Sequence, residues 1–198
     1  MSHQATPQRS ATSTRLGEIG RMFSEAADSG FPEAIEAAAA AIGDAIENGH
    51  KLLVFGNGGS AADAQHLCGE LVVRFERERR ALPAIALTCD AAVLTACSND
   101  YEYAEIFARQ IAALGTPGDV ALGISTSARS PNVIRGLEAA RSKGMFTILL
   151  TGAQSCAATP ICDLVLAAPG DKTARIQELH LAAYHLICEI LDARFSPE

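Results

Sequence analysis

The chain has 198 residues, 48 % of them apolar and 20 % charged, with a net charge of −7, a balance that suits one domain with a substantial core. The acidic total argues against a nucleic-acid partner, which would need a basic face to displace counterions from phosphate. No apolar run approaches the roughly 20 residues that cross a bilayer, so no membrane partner is expected. Cys68, Cys89, Cys97, Cys156, Cys162 and Cys188 are scattered without a Cys-x-x-Cys pair and read as reduced, buried thiols rather than a disulfide framework.

In chain order, residues 1–14 are polar, rich in Ser, Thr and Gln, and lack the apolar core of a secretory signal. They read as a disordered leader ahead of a single domain over 15–198, with the cytoplasm as its expected location. Residues 16–27 and 32–48 are expected helices, the second opened by Pro32, alanine-rich in the middle and stopped by Gly49. Short apolar runs at 51–55, 84–87, 119–124, 145–150 and 163–167 are expected buried strands. The segments 60–74, 90–97, 104–114, 131–142 and 173–194 are expected helices between and after them. The basic cluster from Arg74 to Arg80, interleaved with Glu76 and Glu78, reads as a solvated charged turn. Strands apolar on both faces, alternating with helices, predict an α/β three-layer sandwich: a central parallel sheet of about five strands, flavodoxin-like, with helices on each side. Sites in such sheets lie beyond the carboxyl ends of the strands, which directs attention to the strand-to-helix loops.

The first of these loops is Gly56-Asn57-Gly58-Gly59-Ser60. Glycines there permit positive φ and close approach of a ligand, and the following helix offers unpaired N–H groups; a plain tight turn would use the same residues. It is neither G-x-G-x-x-G nor a Walker sequence, so a nucleotide is not implied. On the next helix His66 and Glu70 stand four residues apart on one face, where they could share a metal or simply form a solvated pair. The last helix carries Gln177, Glu178, His180 and His185. At ~100° per residue, Gln177 and His185 are roughly 80° apart and can face one cavity or make interhelical hydrogen bonds, while His180 lies well round the helix and reads as structural.

The third apolar run leads into Ser125-Thr126-Ser127-Ala128-Arg129-Ser130-Pro131. Ser130 is a natural N-cap ahead of Pro131, but the other hydroxyls have no such explanation. Hydroxyls and N–H groups at a helix amino terminus suit a dianionic phosphate, and Arg129 could add charge.

Taken together and in this order, Gly-Asn-Gly-Gly-Ser-Ala-Ala-Asp-Ala-Gln-His, Ser-Asn-Asp, Ile-Ser-Thr-Ser and Arg-Ile-Gln-Glu-x-His-x-x-x-x-His resemble the phosphoheptose isomerase branch of the SIS (sugar isomerase) fold, from about Leu16 to the end of the last helix. The resemblance implies a ketose–aldose isomerase that converts sedoheptulose 7-phosphate to D-glycero-D-manno-heptose 7-phosphate for heptose and surface-glycan synthesis. It implies a divalent metal, zinc, held by His66, Glu70, Gln177 and His185. Substrate contacts are implied at Asn57, Gly58, Gly59, Glu70, Asn99, Asp100, Ser125, Thr126, Ser127, Ser130 and Gln177, with the serine-threonine loop on the phosphate, and a homotetramer whose sites draw on more than one subunit. Two departures stand out: the family often has Gly-Asn or Gly-Lys where this chain has Ala128-Arg129, and some members carry an acidic residue at the position of Ala174.

The chemistry so implied moves a proton between adjacent carbons through an enediol, with Glu70 expected as the carbon base and His185 as the oxygen acid or base. Two other readings follow from relatives of this fold. One is a non-catalytic regulator that binds a replication initiator protein; such a regulator replaces the positions of Glu70 and His185, both of which survive here. The other is an isomerase of a different phosphosugar, because a phosphate loop does not measure sugar length.

Overall fold

The computed structural model describes residues 10–153 and 159–197. Its elements in chain order are α1 (Ala11–Ala27), α2 (Phe31–Glu47), β1 (Leu52–Gly56), α3 (Gly59–Val72), β2 (Ala84–Ala86), α4 (Ala91–Asp100), a 3-10 turn (Tyr103–Glu105), α5 (Ile106–Leu114), β3 (Val120–Ile124), α6 (Pro131–Ser142), β4 (Phe146–Gly152), a second 3-10 turn (Thr159–Ile161), β5 (Leu164–Ala168) and α7 (Thr173–Phe195). The five strands are parallel in the order β2-β1-β3-β4-β5, the doubly wound sheet expected from the alternation.

Strand periodicity divides the core into two. Leu52 and Val54 of β1, with Val120, Leu122 and Ile124 of β3, face α1, α2, α3 and α7. Leu53 and Phe55, with Ala121 of β3 and Leu149 of β4, face α4, α5 and α6. Successive side chains of a strand point to opposite faces, and both faces here are dry, which is why these runs are apolar without alternation. Gly136 lets α6 close on the sheet: a Cβ there would lie 2.8 Å from the Phe55 ring.

Three local differences from the sequence expectations have clear causes. Helix α1 begins at Ala11, because the Ser10 side chain accepts a hydrogen bond from the Ser13 N–H and caps it. Residues 11–14 of the expected leader are therefore helical, while residues 1–9 lie outside the described residues. Helix α3 stops at Val72 instead of Arg74, and its final carbonyls are taken by a side chain from the basic cluster. That side chain, Arg79, is fully buried against Asp192, so the cluster is not simply the solvated turn its charge pattern suggests. Of the cysteines, Cys68, Cys97 and Cys188 are buried as expected, Cys89 is exposed and Cys162 is half-buried; Cys156 lies outside the described residues. No helix among the described residues is long and apolar enough to cross a membrane.

Candidate active site

The carboxyl end of β1 runs into Asn57, and Gly58 then turns the chain with φ +57° into α3, a backbone conformation that side chains resist. The N–H groups of Gly58 and Gly59 make no hydrogen bond among the described residues, so the helix amino terminus keeps its donors available. Asn57 is held by a reciprocal amide pair with the buried Asn132, 2.8 Å in each direction, and accepts a hydrogen bond from the Tyr103 hydroxyl at 2.9 Å. The first of these bonds ties the glycine loop to the first turn of α6, directly after the serine loop.

In the serine loop, Ser125 is buried and its Oγ lies 3.2 Å from Ser130 Oγ. Ser130 occupies the N-cap position of α6, yet its side chain makes no capping hydrogen bond. The structural explanation expected for Ser130 therefore falls away, and its hydroxyl belongs to the loop. Among the described residues the N–H groups of Thr126, Ser127 and Ser130 have no hydrogen-bond acceptor, which leaves three backbone donors beside the hydroxyls. The Thr126 carbonyl accepts from the Gly152 N–H at 3.2 Å, and a Cβ on Gly152 would meet that carbonyl oxygen at 2.9 Å and Ile176 Cδ1 at 2.7 Å. The loop is thus pressed against β4 and the first turn of α7. Ala128 lies at φ +49° with its side chain buried, a left-handed conformation that costs a residue with a Cβ about 1 kcal/mol. Alanine holds here a turn that glycine would adopt without that cost.

The third group comes from α3 and α7. His66 Nε2 is 3.0 Å from Glu70 Oε1, the pairing their four-residue spacing suggests. His66 Nδ1 is 3.0 Å from the Tyr184 hydroxyl, which also donates to Asp63 at 3.5 Å. The His185 ring stands edge-on to His66 at 5.1 Å and packs against Phe75 at 5.4 Å. Its Nε2 is buried with no hydrogen-bond partner among the described residues. Desolvation, then the His66 charge, push the His185 pKa below the ordinary value, against the pull of Glu70. Gln177 completes the group from one turn into α7: a Cβ on Gly59 would lie 2.5 Å from its Nε2, so the amide sits directly over the glycine loop.

Of the site residues expected from sequence, then, Asn57, Gly58, Gly59, Ser125, Thr126, Ser127, Ser130 and Gln177 fall around the carboxyl ends of β1 and β3, while His66, Glu70 and His185 cluster further along α3 and α7. Asn99 and Asp100 do not join them. Both are exposed at the end of α4 and bonded to each other at 2.8 Å, and Asp100 faces a crevice with Ile85, Cys89 and Arg109. His180 is fully buried as expected of a structural residue; desolvation lowers its pKa to about 4, offset in part by the Thr151 backbone. Reasoning from sequence missed Tyr184, Asp63 and Asn132. Asp63 could have been found one helical turn before His66, whereas Asn132 carries no signal outside the fold.

The donor set fits a divalent metal in kind, since two imidazoles, a carboxylate and an amide are the ligands zinc accepts. The orphaned His185 Nε2 and the Tyr184 bond on the far nitrogen of His66 are features of such centres. In this arrangement, however, His66 and Glu70 satisfy each other, and among the described residues no three His, Cys, Asp or Glu side chains converge as a metal would require.

Comparison with known proteins names the class. Residues 18–152 match the SIS domain family, in keeping with the doubly wound sheet and its loops. The chain is 52 % identical over 160 residues to a phosphoheptose isomerase of Solidesulfovibrio magneticus, covering 81 % of this chain and 78 % of that protein. It is 53 % identical over 155 residues to one from Bradyrhizobium, covering 78 % of each chain. A solved phosphoheptose isomerase from Francisella tularensis superposes with a TM-score of 0.87 at 41 % identity, over 91 % of this chain and 95 % of that one. The chain belongs to the phosphoheptose isomerases within the SIS domain family.

Proposed function

We propose that the protein isomerises sedoheptulose 7-phosphate to D-glycero-D-manno-heptose 7-phosphate, supplying heptose for surface glycans, with a zinc ion held by His66, Glu70, Gln177 and His185. The observation that carries the reading is the clustering of a carboxylate and two imidazoles on α3, which begins at the glycine loop, and α7, whose Gln177 lies over that loop, together with a serine loop in which the N–H groups of Thr126, Ser127 and Ser130 have no acceptor among the described residues. The serine loop would receive the phosphate on its free N–H donors and the hydroxyls of Ser125, Thr126, Ser127 and Ser130, fixing the far end of the sugar.

The open-chain sugar would then extend toward Glu70 and His185. Glu70 takes the proton from one of the two adjacent carbons and returns it to the other, and His185 exchanges the proton between their oxygens. Burial that lowers the His185 pKa favours the neutral ring, the form in which an imidazole can either bind a metal or accept a proton. Asn57, fixed by Asn132, orients a sugar hydroxyl. A metal at this site would polarise the carbonyl and stabilise the enediolate oxygens as a Lewis acid. Tyr184 and Asp63 hold the His66 ring in place.

The proposal extends to a homotetramer. An apolar groove between α1, α2 and α7 is lined by Phe23, Phe31, Ile35, Leu179, Leu186 and Ile190, and Phe23, Leu181, Leu186 and Ile190 are exposed. A patch of this kind on α1 and α7 suits packing against further copies. That assembly would also give Asn99 and Asp100 a route to a site, that of a neighbouring subunit.

The deciding experiment is conversion of sedoheptulose 7-phosphate by purified protein, before and after chelation and return of zinc, with Glu70→Gln as control. Turnover restored by zinc and lost in the variant is the expected result. Folded wild-type protein that turns over no sedoheptulose 7-phosphate in any metal state would overturn the reading.

A further inference from the structure

Nothing bonds Glu70 to His185 directly, yet the chemistry proposed above needs them at a fixed separation on two different helices. We infer that Arg79 and Asp192 are positioning residues that hold these two groups in working register, an inference that rests on the proposed site.

Both side chains are all but completely buried, Arg79 at 0 % and Asp192 at 2 % exposure. The guanidinium is used on three sides. Its Nε donates to Asp192 Oδ1 at 2.6 Å, Nη2 donates to the Glu70 carbonyl at 2.8 Å, and Nη1 donates to the Leu71 carbonyl at 2.9 Å and the Arg80 carbonyl at 3.1 Å. The carbonyls of Glu70 and Leu71 belong to the last turn of α3, where no helical N–H reaches them. A buried charge therefore caps the helix at the residue proposed as the carbon base.

Asp192 works from the other helix. It lies two turns beyond His185 on α7, and its Oδ2 accepts the N–H groups of Glu76 and Arg77, each at 2.8 Å. Those bonds pin the chain just after Phe75, the residue whose ring packs on His185. One ion pair thus holds the backbone of Glu70 on one side and, on the other, the two residues that follow the packing partner of His185. Desolvation would raise the Asp192 pKa, but the N–H groups of Arg77 and Glu76 and the Arg79 guanidinium outweigh it and hold the carboxyl below its ordinary value. Only a guanidinium offers donors in this fixed fork; a lysine could keep the charge but not reach Asp192 and the two helix carbonyls together.

A clamp that serves stability alone and one that positions the site differ in what survives repair. Arg79→Lys keeps the charge and loses the fork. The paired replacement Arg79→Met with Asp192→Leu removes both charges together, an exchange that buried ion pairs commonly tolerate, and it serves where the lysine variant does not fold. Kinetics on sedoheptulose 7-phosphate, per mole of folded enzyme, should show kcat lowered about tenfold or more with KM within about twofold, since small misplacements of reacting groups act mainly on the chemical step. In the same variants the imidazole ¹⁵N signals of His66 and His185 should move while that of His50, which sits beside Asp119, stays. A folded variant with kcat within twofold of wild type and unmoved His66 and His185 signals would overturn the inference. Should the wild type prove inactive on this sugar, the isomerase reading fails by itself and the histidine signals alone decide for or against the clamp.

Discussion

The two ends of the sheet are built from similar residue types and treat them in opposite ways. At the amino end, Asp119 is fully buried and every approach to its carboxylate is taken: the Lys51 N–H at 3.0 Å, Lys51 Nζ at 2.6 Å, the Thr116 N–H at 2.8 Å and Thr116 Oγ1 at 2.9 Å. Desolvation pushes this carboxyl up, but those bonds outweigh it and hold its pKa below the ordinary value. At the carboxyl end, the N–H groups of Thr126, Ser127 and Ser130 have no acceptor among the described residues and the Ser130 hydroxyl declines its cap, and on the helix that starts from that end His185 Nε2 is buried without a partner among the described residues. Buried polar groups are normally paired because leaving one unpaired costs about 1–3 kcal/mol. The end that is closed off stabilises the fold, and the end that leaves groups unsatisfied is the one prepared for a ligand.

The sharpest way to break this contrast is to change each end in turn. Glu70→Gln should cut turnover by roughly 10²–10⁴-fold, the usual worth of a positioned acid–base group, while leaving the melting temperature nearly unchanged. A variant that unfolds instead would make Glu70 a structural residue. Asp119→Ala should do the reverse, destabilising by about 3–5 kcal/mol through the stranded Lys51 and Thr116 donors, with kcat per folded molecule unaltered. Chemical denaturation alongside steady-state kinetics reads both. Because the folded Asp119 pKa is depressed, its contribution is present above the unfolded value and is lost as pH falls through the folded one.

His180 tests the helix that serves the site. Its folded pKa of about 4 lies below the ordinary 6.5, so between those values the unfolded chain binds a proton that the folded one refuses. Stability should fall by about 3 kcal/mol as pH drops across that window, and His180→Leu should flatten that part of the profile. The smallest effect is expected at Ser130. A working N-cap is worth about 1 kcal/mol, but this one makes no capping bond, so Ser130→Ala should change stability by less than about 0.5 kcal/mol while raising KM for the phosphorylated sugar. A loss near the full cap value would return Ser130 to a structural role.

What was legible before the fold is visible in particular elements. Pro131 and Ser130 marked the start of α6, and the dry runs that became β1 and β3 marked a parallel sheet, because local sterics and burial on both faces leave their record within a few residues. The four-residue spacing of His66 and Glu70 is a helical property and was readable as such. Ala128 and Arg79 were not readable. Whether an alanine must turn left-handed depends on the strand and helix it joins, and the charge pattern that marks a solvated turn gives no sign that one of its arginines is buried 113 residues away from its partner.

The sequence by itself determined the order of helices and strands, the doubly wound parallel sheet, the two polar loops at its carboxyl end and the family they belong to, all of which rest on short-range pattern. Only the tertiary structure decided which polar groups are spent and which are left open: the Asn57–Asn132 pair, the Tyr184 bond to His66, the Arg79–Asp192 clamp and the unpaired His185 nitrogen. The first three join residues far apart in the chain and the last has no partner among the described residues; the satisfaction of a buried hydrogen-bonding group is fixed by what the fold brings next to it, which no local stretch of sequence contains.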